Sequence, residues 1–225
     1  MTDAHCHVSG GDPSVREFLI GRDFVGIHPW TSCAPDARPA ADVSAWLREQ
    51  LAANPHLGVG EIGLDRLKTR DISPSMRAVF ETQLHIALEF GRPVVLHGAK
   101  CWGQVVREII ELSNKRIGPF LFHGFSRSDG LLPDIVALNG YVSVGPAVLN
   151  DHAVNYRALV KKIPIDRLLV ETDRDCEPAS LLNPLTGAPL SVRDVLAKTA
   201  ELRGLSPAEL EAITDANALR FLGGA

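Results

Sequence analysis

Short apolar runs rich in β-branched and aromatic residues alternate with longer amphipathic stretches from one end of the chain to the other. This alternation restricts the fold more than any other feature. It predicts repeated βα units with a parallel sheet, because neighbouring parallel strands need a crossover and the crossover is usually a helix. Seven runs read as strands: Thr2–His7, Phe24–His28, Gly58–Ile62, Pro93–His97, Phe120–Phe125, Gly140–Val144 and Arg167–Thr172. Several are continuously apolar, as strands covered on both faces should be. Pro74–Phe90 carries Val79, Phe80, Leu84, Ala87 and Leu88 at helical spacing and stops at Gly91 before Pro93. Ser191 with Asp194, and Ser206 with Pro207 and Glu209, are capping-box starts, so the chain closes on two helices. The proline-rich stretch Cys33–Ala40 reads as a loop ahead of a helix that begins near Asp42.

No break in composition divides the 225 residues, so one domain over 1–225 is expected. The formal net charge of −4 gives no general cationic field, and any phosphate-bearing substrate has to be held by a few local groups. No run approaches the roughly 20 apolar residues of a membrane span, and Met1-Thr2-Asp3-Ala4-His5 lacks the basic and apolar regions of a leader. A cytoplasmic protein with no membrane partner is expected. The four cysteines, Cys6, Cys33, Cys101 and Cys176, contain no Cys-x-x-Cys pair and suit reduced thiols.

His5, His7, Glu61, His97, His123 and Asp173 all fall at or just past the C-terminal ends of apolar runs. That edge carries the active sites of parallel α/β folds. Each residue alone has an ordinary explanation: a surface His-x-His pair, a hydrogen-bonded core histidine, an aspartate capping a helix. Glu61 is the exception, since a carboxylate inside an apolar strand is expensive to bury without a cation. Jointly they form a borderline ligand set suited to Zn²⁺, Mn²⁺ or Fe²⁺ and tolerant of Mg²⁺. His5 and His7 share one side of a strand. Six ligands exceed the needs of one tetrahedral ion, and two divalent ions about 3.5–4 Å apart, bridged by a carboxylate, suit phosphoester cleavage.

These residues also carry a resemblance. Asp3-Ala-His5-Cys-His7, Gly26-Ile-His28-Pro29, Gly60-Glu61-Ile-Gly-Leu-Asp65, Gln83-Leu84 with Pro93-Val-Val-Leu-His97, His123-Gly-Phe-Ser126 and Glu171-Thr-Asp173 occur in the order found in the TatD family of metal-dependent hydrolases and deoxyribonucleases. The resemblance implies a TIM-barrel-like parallel (β/α) barrel and two divalent ions, Mg, Mn or Zn. It implies that His5 and His7 bind one ion, His97 and His123 the second, and that Glu61 bridges them. Asp173 would be a ligand that also orients or deprotonates the attacking water, so that Glu61 and Asp173 carry catalysis. The implied activity is phosphodiester hydrolysis by a metal-bound hydroxide, most simply exonucleolytic cleavage of DNA, single-stranded or at 3′ ends, by a monomer. The alternatives are a hydrolase of a small phosphoester, aminoacyl ester or amide, and a non-catalytic metal-binding protein.

Departures from the family pattern fall on substrate contacts. Ala99 with Lys100, Arg66, Arg127 and Asp175 replace the family's usual residues, and Trp30 stands in place of a histidine. His28, Arg66, Lys100 and Arg127 are the expected substrate contacts, with Arg174 a further candidate for an anion. Trp30 and Trp102 either stack a base or pack a loop. The resembling family places a complete strand and helix between its first motif and the Gly-x-His-Pro strand, whereas residues 8–24 here give only 17 positions between His7 and Val25. A seven-stranded barrel lacking one N-terminal βα unit is therefore expected.

Overall fold

The computed structural model describes residues 1–34, 36–113, 118–126 and 129–223. Eight strands occur among them: β1 Thr2–Cys6, β2 Arg16–Leu19, β3 Phe24–Val25, β4 Gly58–Asp65, β5 Val94–Ala99, β6 Phe120–Phe122, β7 Gly140–Val144 and β8 Leu168–Val170. The helices are α1 Pro29–Ser32, α2 Ala40–Ala53, α3 Pro74–Glu89, α4 Trp102–Ser113, α5 Leu132–Ala137, α6 Val154–Lys162, α7 Val192–Arg203 and α8 Pro207–Phe221. Strand and helix alternate as predicted from β4 onward.

The expected count of seven strands is corrected by β2. Arg16-Glu17-Phe18-Leu19 pairs parallel with β1, Thr2 against Arg16 and Cys6 against Leu19. Residues 7–15 and 20–23, on either side of β2, contain no helix. Two charged residues in a four-residue run hide β2 from hydropathy, and Glu17 is buried because Arg174 donates to its Oε1 at 3.2 Å and the Gly10 amide at 2.6 Å.

Two compact units divide the chain. One comprises Gly21–Phe122 and Pro133–Gly140. In it β3, β4, β5 and β6 lie side by side, all parallel, with Phe24 against Gly58, Val59 against Val94 and Val94 against Phe120. α3 packs between α2 and β4. Its buried face, Met76, Val79, Phe80, Gln83, Leu84, Ile86 and Ala87, meets Val43, Leu47 and Leu51 of α2. Ser73 caps α3 by accepting from the Met76 amide, and the helix stops before Gly91, which takes the left-handed φ of 63° that glycine tolerates.

The other unit comprises Met1–Ile20, His123–Leu132 and the chain from Tyr141 on. Here β1 pairs with β2, β7 with β8, and the segment after β8 returns to β1, the Asp173 amide donating to the His5 carbonyl at 3.0 Å. Every residue of β1 is buried. Both expected capping boxes are present, Ser191 with Asp194 and Ser206 with Glu209. α8 packs on β1 and β8, and the buried Asn217 amide donates to the Ile165 and Leu168 carbonyls at 2.9 and 2.7 Å. No helix among the described residues is long and apolar enough to cross a membrane.

Candidate functional site

In the unit that contains β1, period-two spacing brings His5 and His7 together, their rings meeting edge-on with centroids 5.0 Å apart. The His123 ring stacks on His5 at 4.1 Å. Asp173 lies just beyond β8 in a left-handed conformation, φ 48°, which aspartate adopts more readily than most residues. Its Oδ1 stands 3.4 Å from His5 Nε2 and 3.9 Å from His7 Nε2. One ligand atom from each of His5, His123 and Asp173 falls within 4.8 Å of the others, close enough to grip a single cation.

Buried carboxylates brace this set. Glu171 accepts from the Gly124 amide at 2.8 Å and from the Ser143 hydroxyl, and its Oε1 stands 3.7 Å from His123 Nδ1. Asp3 accepts from the Thr172 amide at 2.9 Å and hydroxyl at 2.6 Å, which fixes the residue before Asp173. Burial pushes the Asp3 carboxyl up from 3.8 to about 6, against the pull of those hydrogen bonds. Since the folded pKa is raised, the native state holds a proton between these values that the unfolded chain has lost. Asp3 therefore favours folding fully below the unfolded pKa and loses that contribution as pH rises to about 6, a fall of about 3 kcal/mol. Asp3→Asn is expected to flatten this part of the stability profile, measured by urea unfolding in chelator from pH 4 to 7; an unchanged slope would contradict the assignment.

A cavity of about 1030 Å³ opens beside Asp173 and Glu171, lined further by Gly145, Tyr156, Asn155 and Lys162. The Tyr156 hydroxyl accepts from the Gly145 amide at 2.9 Å. Nothing in the sequence marks Tyr156, an aromatic on an amphipathic helix.

In the unit that contains β4, Glu61 lies mid-strand and is buried. His97, on β5, places Nδ1 2.5 Å from Glu61 Oε1 and Nε2 2.9 Å from Asp65 Oδ2. His28 Nε2 stands 3.5 Å from Glu61 Oε1. These three form a second set whose ligand atoms lie within 4.8 Å of one another. Asp65 holds the far nitrogen of His97 and leaves the other toward Glu61, the arrangement of a carboxylate-oriented histidine ligand. Burial alone would raise the Asp65 carboxyl, but His97, the Lys68 amide and the Trp30 indole hold it well below the usual carboxylate range.

Local sequence explains these positions. Gly63 faces His97 in the β4–β5 register, and a Cβ on Gly63 would lie 2.0 Å from the His97 carbonyl oxygen. The Gln83 amide accepts from the Ile27 amide at 2.6 Å and donates to the Ile27 carbonyl at 3.1 Å, fixing the residue before His28. His28 also caps α1, accepting from the Trp30 amide at 3.2 Å.

The expected substrate contacts fare differently. Arg66 and Lys100 are exposed, and Arg127 lies outside the described residues. Arg174 is committed to the interior, donating to the Val8 and Leu190 carbonyls and to Glu17, so it is withdrawn as an anion contact. Trp102 is buried against Phe122, with its six-membered ring over Gly98. Trp30 remains 45% exposed.

The profile of TatD related DNases matches residues 21–223, a span that begins after His5 and His7. An uncharacterized metal-dependent hydrolase of Bacillus subtilis, YabD, is 31% identical over 180 residues, 79% of this chain and 69% of that protein. The 3′-5′ ssDNA/RNA exonuclease TatD of Cronobacter sakazakii is 32% identical over 205 residues, 87% of this chain and 74% of that protein. The crystal structure of the Escherichia coli TatD homologue YJJV superimposes with a TM-score of 0.76 at 23% identity, over 94% of this chain and 78% of that one. This last likeness is one of fold, and the fold class is the parallel α/β, TIM-barrel-like one.

Proposed function

Because the chain belongs to the TatD related DNase family and is a metal-dependent hydrolase acting on ester bonds, we propose that it cleaves phosphodiester bonds of single-stranded nucleic acid from an end. The observation that carries this reading is the pair of imidazole and carboxylate sets, His5, His7, His123 and Asp173 in one unit, His28, Glu61 and His97 in the other. Neutral imidazole with carboxylate suits a borderline divalent cation, and each set has a second carboxylate beside a histidine, Asp65 bonded to His97 and Glu171 3.7 Å from His123.

Two divalent ions bound to these sets would acidify water and neutralise charge on the phosphate. His5, His7, His97 and His123 act as ligands with Glu61. Asp173, with its side chain partly open to solvent and its backbone fixed by β1, accepts the proton of the attacking water at a carboxylate oxygen. Asp65, bonded to His97 Nε2 at 2.9 Å, keeps that ring from turning away, and Glu171 places its charge 3.7 Å from His123 Nδ1. In this reading His28 borders the second set as a substrate contact rather than a ligand, and Arg66, Lys100 and Arg127 are the further substrate contacts. The domain extends over 1–225, and the protein acts as a monomer.

A substrate panel tests the proposal. With Mg²⁺ or Mn²⁺, a labelled single-stranded oligonucleotide is expected to shorten from one end, faster than the duplex and faster than an aminoacyl ester, and excess chelator should stop it. Cleavage of the aminoacyl ester alone would overturn the assignment to nucleic acid.

A further inference from the structure

Trp30 and the loop after β4 form a feature that the proton and metal roles leave unused. The indole is 45% exposed, yet it is held in one orientation, because Nε1 donates to the buried Asp65 Oδ2 at 2.7 Å. Its centroid lies 4.6 Å from that of His28 and 6.2 Å from that of His97. A large aromatic surface therefore stands open beside the Glu61 set, with no rotamer search needed before it receives a flat partner. The Lys68 ammonium lies 3.8 Å over the ring, and Arg66 and Arg70 are exposed on the same loop. In a chain of net charge −4 this is a local concentration of cations.

We propose that Trp30 and Lys68 form a platform on which a nucleobase stacks while the adjoining phosphate is held by the ammonium. The inference rests on the nuclease reading and names the group that reads the base in an unpaired substrate. An exposed ammonium–indole contact is weaker than a base–indole stack, so an arriving base displaces Lys68 from the ring and leaves it free for the phosphate. Unpaired bases are favoured because a duplex keeps its faces stacked.

The test compares Trp30→Ala with Trp30→Phe on a thymidine oligomer and on the same oligomer carrying abasic terminal residues. Both variants lose the bond to Asp65, and only phenylalanine keeps a stacking face. Trp30→Ala is expected to raise KM on the thymidine oligomer about tenfold, with a smaller effect on kcat, whereas Trp30→Phe stays within about threefold. On the abasic oligomer the two variants should agree. Lys68→Ala should lower the slope of log KM against log salt by about 0.7. Equal effects of alanine and phenylalanine on the thymidine oligomer would overturn the platform and leave the nuclease standing. If no oligomer is cleaved, the nuclease reading falls, and quenching of indole emission by the thymidine oligomer in chelator decides the platform alone. Quenching abolished by Trp30→Phe supports it, and its absence refutes it.

Discussion

Asp173→Asn is expected to lower kcat for oligonucleotide cleavage by roughly a thousandfold, within the range general-base groups contribute. The effect should appear in kcat and kcat/KM alike, because proton acceptance from water matters only on the way to the transition state. Asparagine keeps the volume and tolerates the left-handed backbone at this position, φ 48°. The Asp173 side chain is 45% exposed, so the folded state should lose less than about 0.5 kcal/mol. Glu61→Gln should act as strongly by a different route. Its carboxylate is buried and faces both His97 and His28, so the neutral amide removes the only negative charge in direct contact with both rings among the described groups. Steady-state kinetics with circular dichroism on both variants checks this, and a kcat within twofold of wild type for either would remove that residue from the chemistry.

Gly63→Ala is expected to cost about 3 kcal/mol or more, and to abolish activity along with stability. Gly63 has φ 150°, within the region L side chains avoid, and the added methyl would meet the backbone oxygen of His97 at 2.0 Å. Backbone has no rotamer with which to yield, so β4 and β5 must separate where Glu61 and His97 meet. At this chain length such a cost corresponds to a melting point lowered by about 10 °C. Thermal unfolding of the variant in chelator isolates the structural effect. A melting point within 2 °C of wild type would show that the two strands can part without penalty.

Part of the site was legible because His7, His123 and Asp173 follow closely on β1, β6 and β8, whereas His5, Glu61 and His97 lie within β1, β4 and β5. An imidazole or carboxylate after a continuous apolar run, as in Val94-Val95-Leu96-His97 or Leu168-Leu169-Val170-Glu171-Thr172-Asp173, announces a polar group toward the C-terminal edge of a sheet. Helix limits were legible for the same local reason, in Ser73, Gly91, Ser191 and Ser206. What escaped depends on partners remote in sequence. β2 is a strand because it pairs with β1, its buried Glu17 meets Arg174, 157 residues away, and that pairing takes Arg174 out of reach of substrate. In the sequence Asp65 is only the end of the Gly60–Asp65 motif, whereas its bonds to both His97 and Trp30 give it a bracing role that spacing cannot show. The shortness of residues 8–24 predicts a missing strand and helix and is wrong about the strand, because β2 fits there without a helix and hydropathy does not reveal it.

The central claim, that two sets of side chains hold two ions that hydrolysis requires, is tested most directly by titrating chelator-treated protein with Mn²⁺ while counting bound ions and following cleavage of a single-stranded oligonucleotide. The account predicts uptake approaching two ions per chain, with cleavage that rises as the second ion binds and is lost again on adding chelator. Undiminished cleavage in excess chelator, or full activity with fewer than one ion bound per chain, would contradict it.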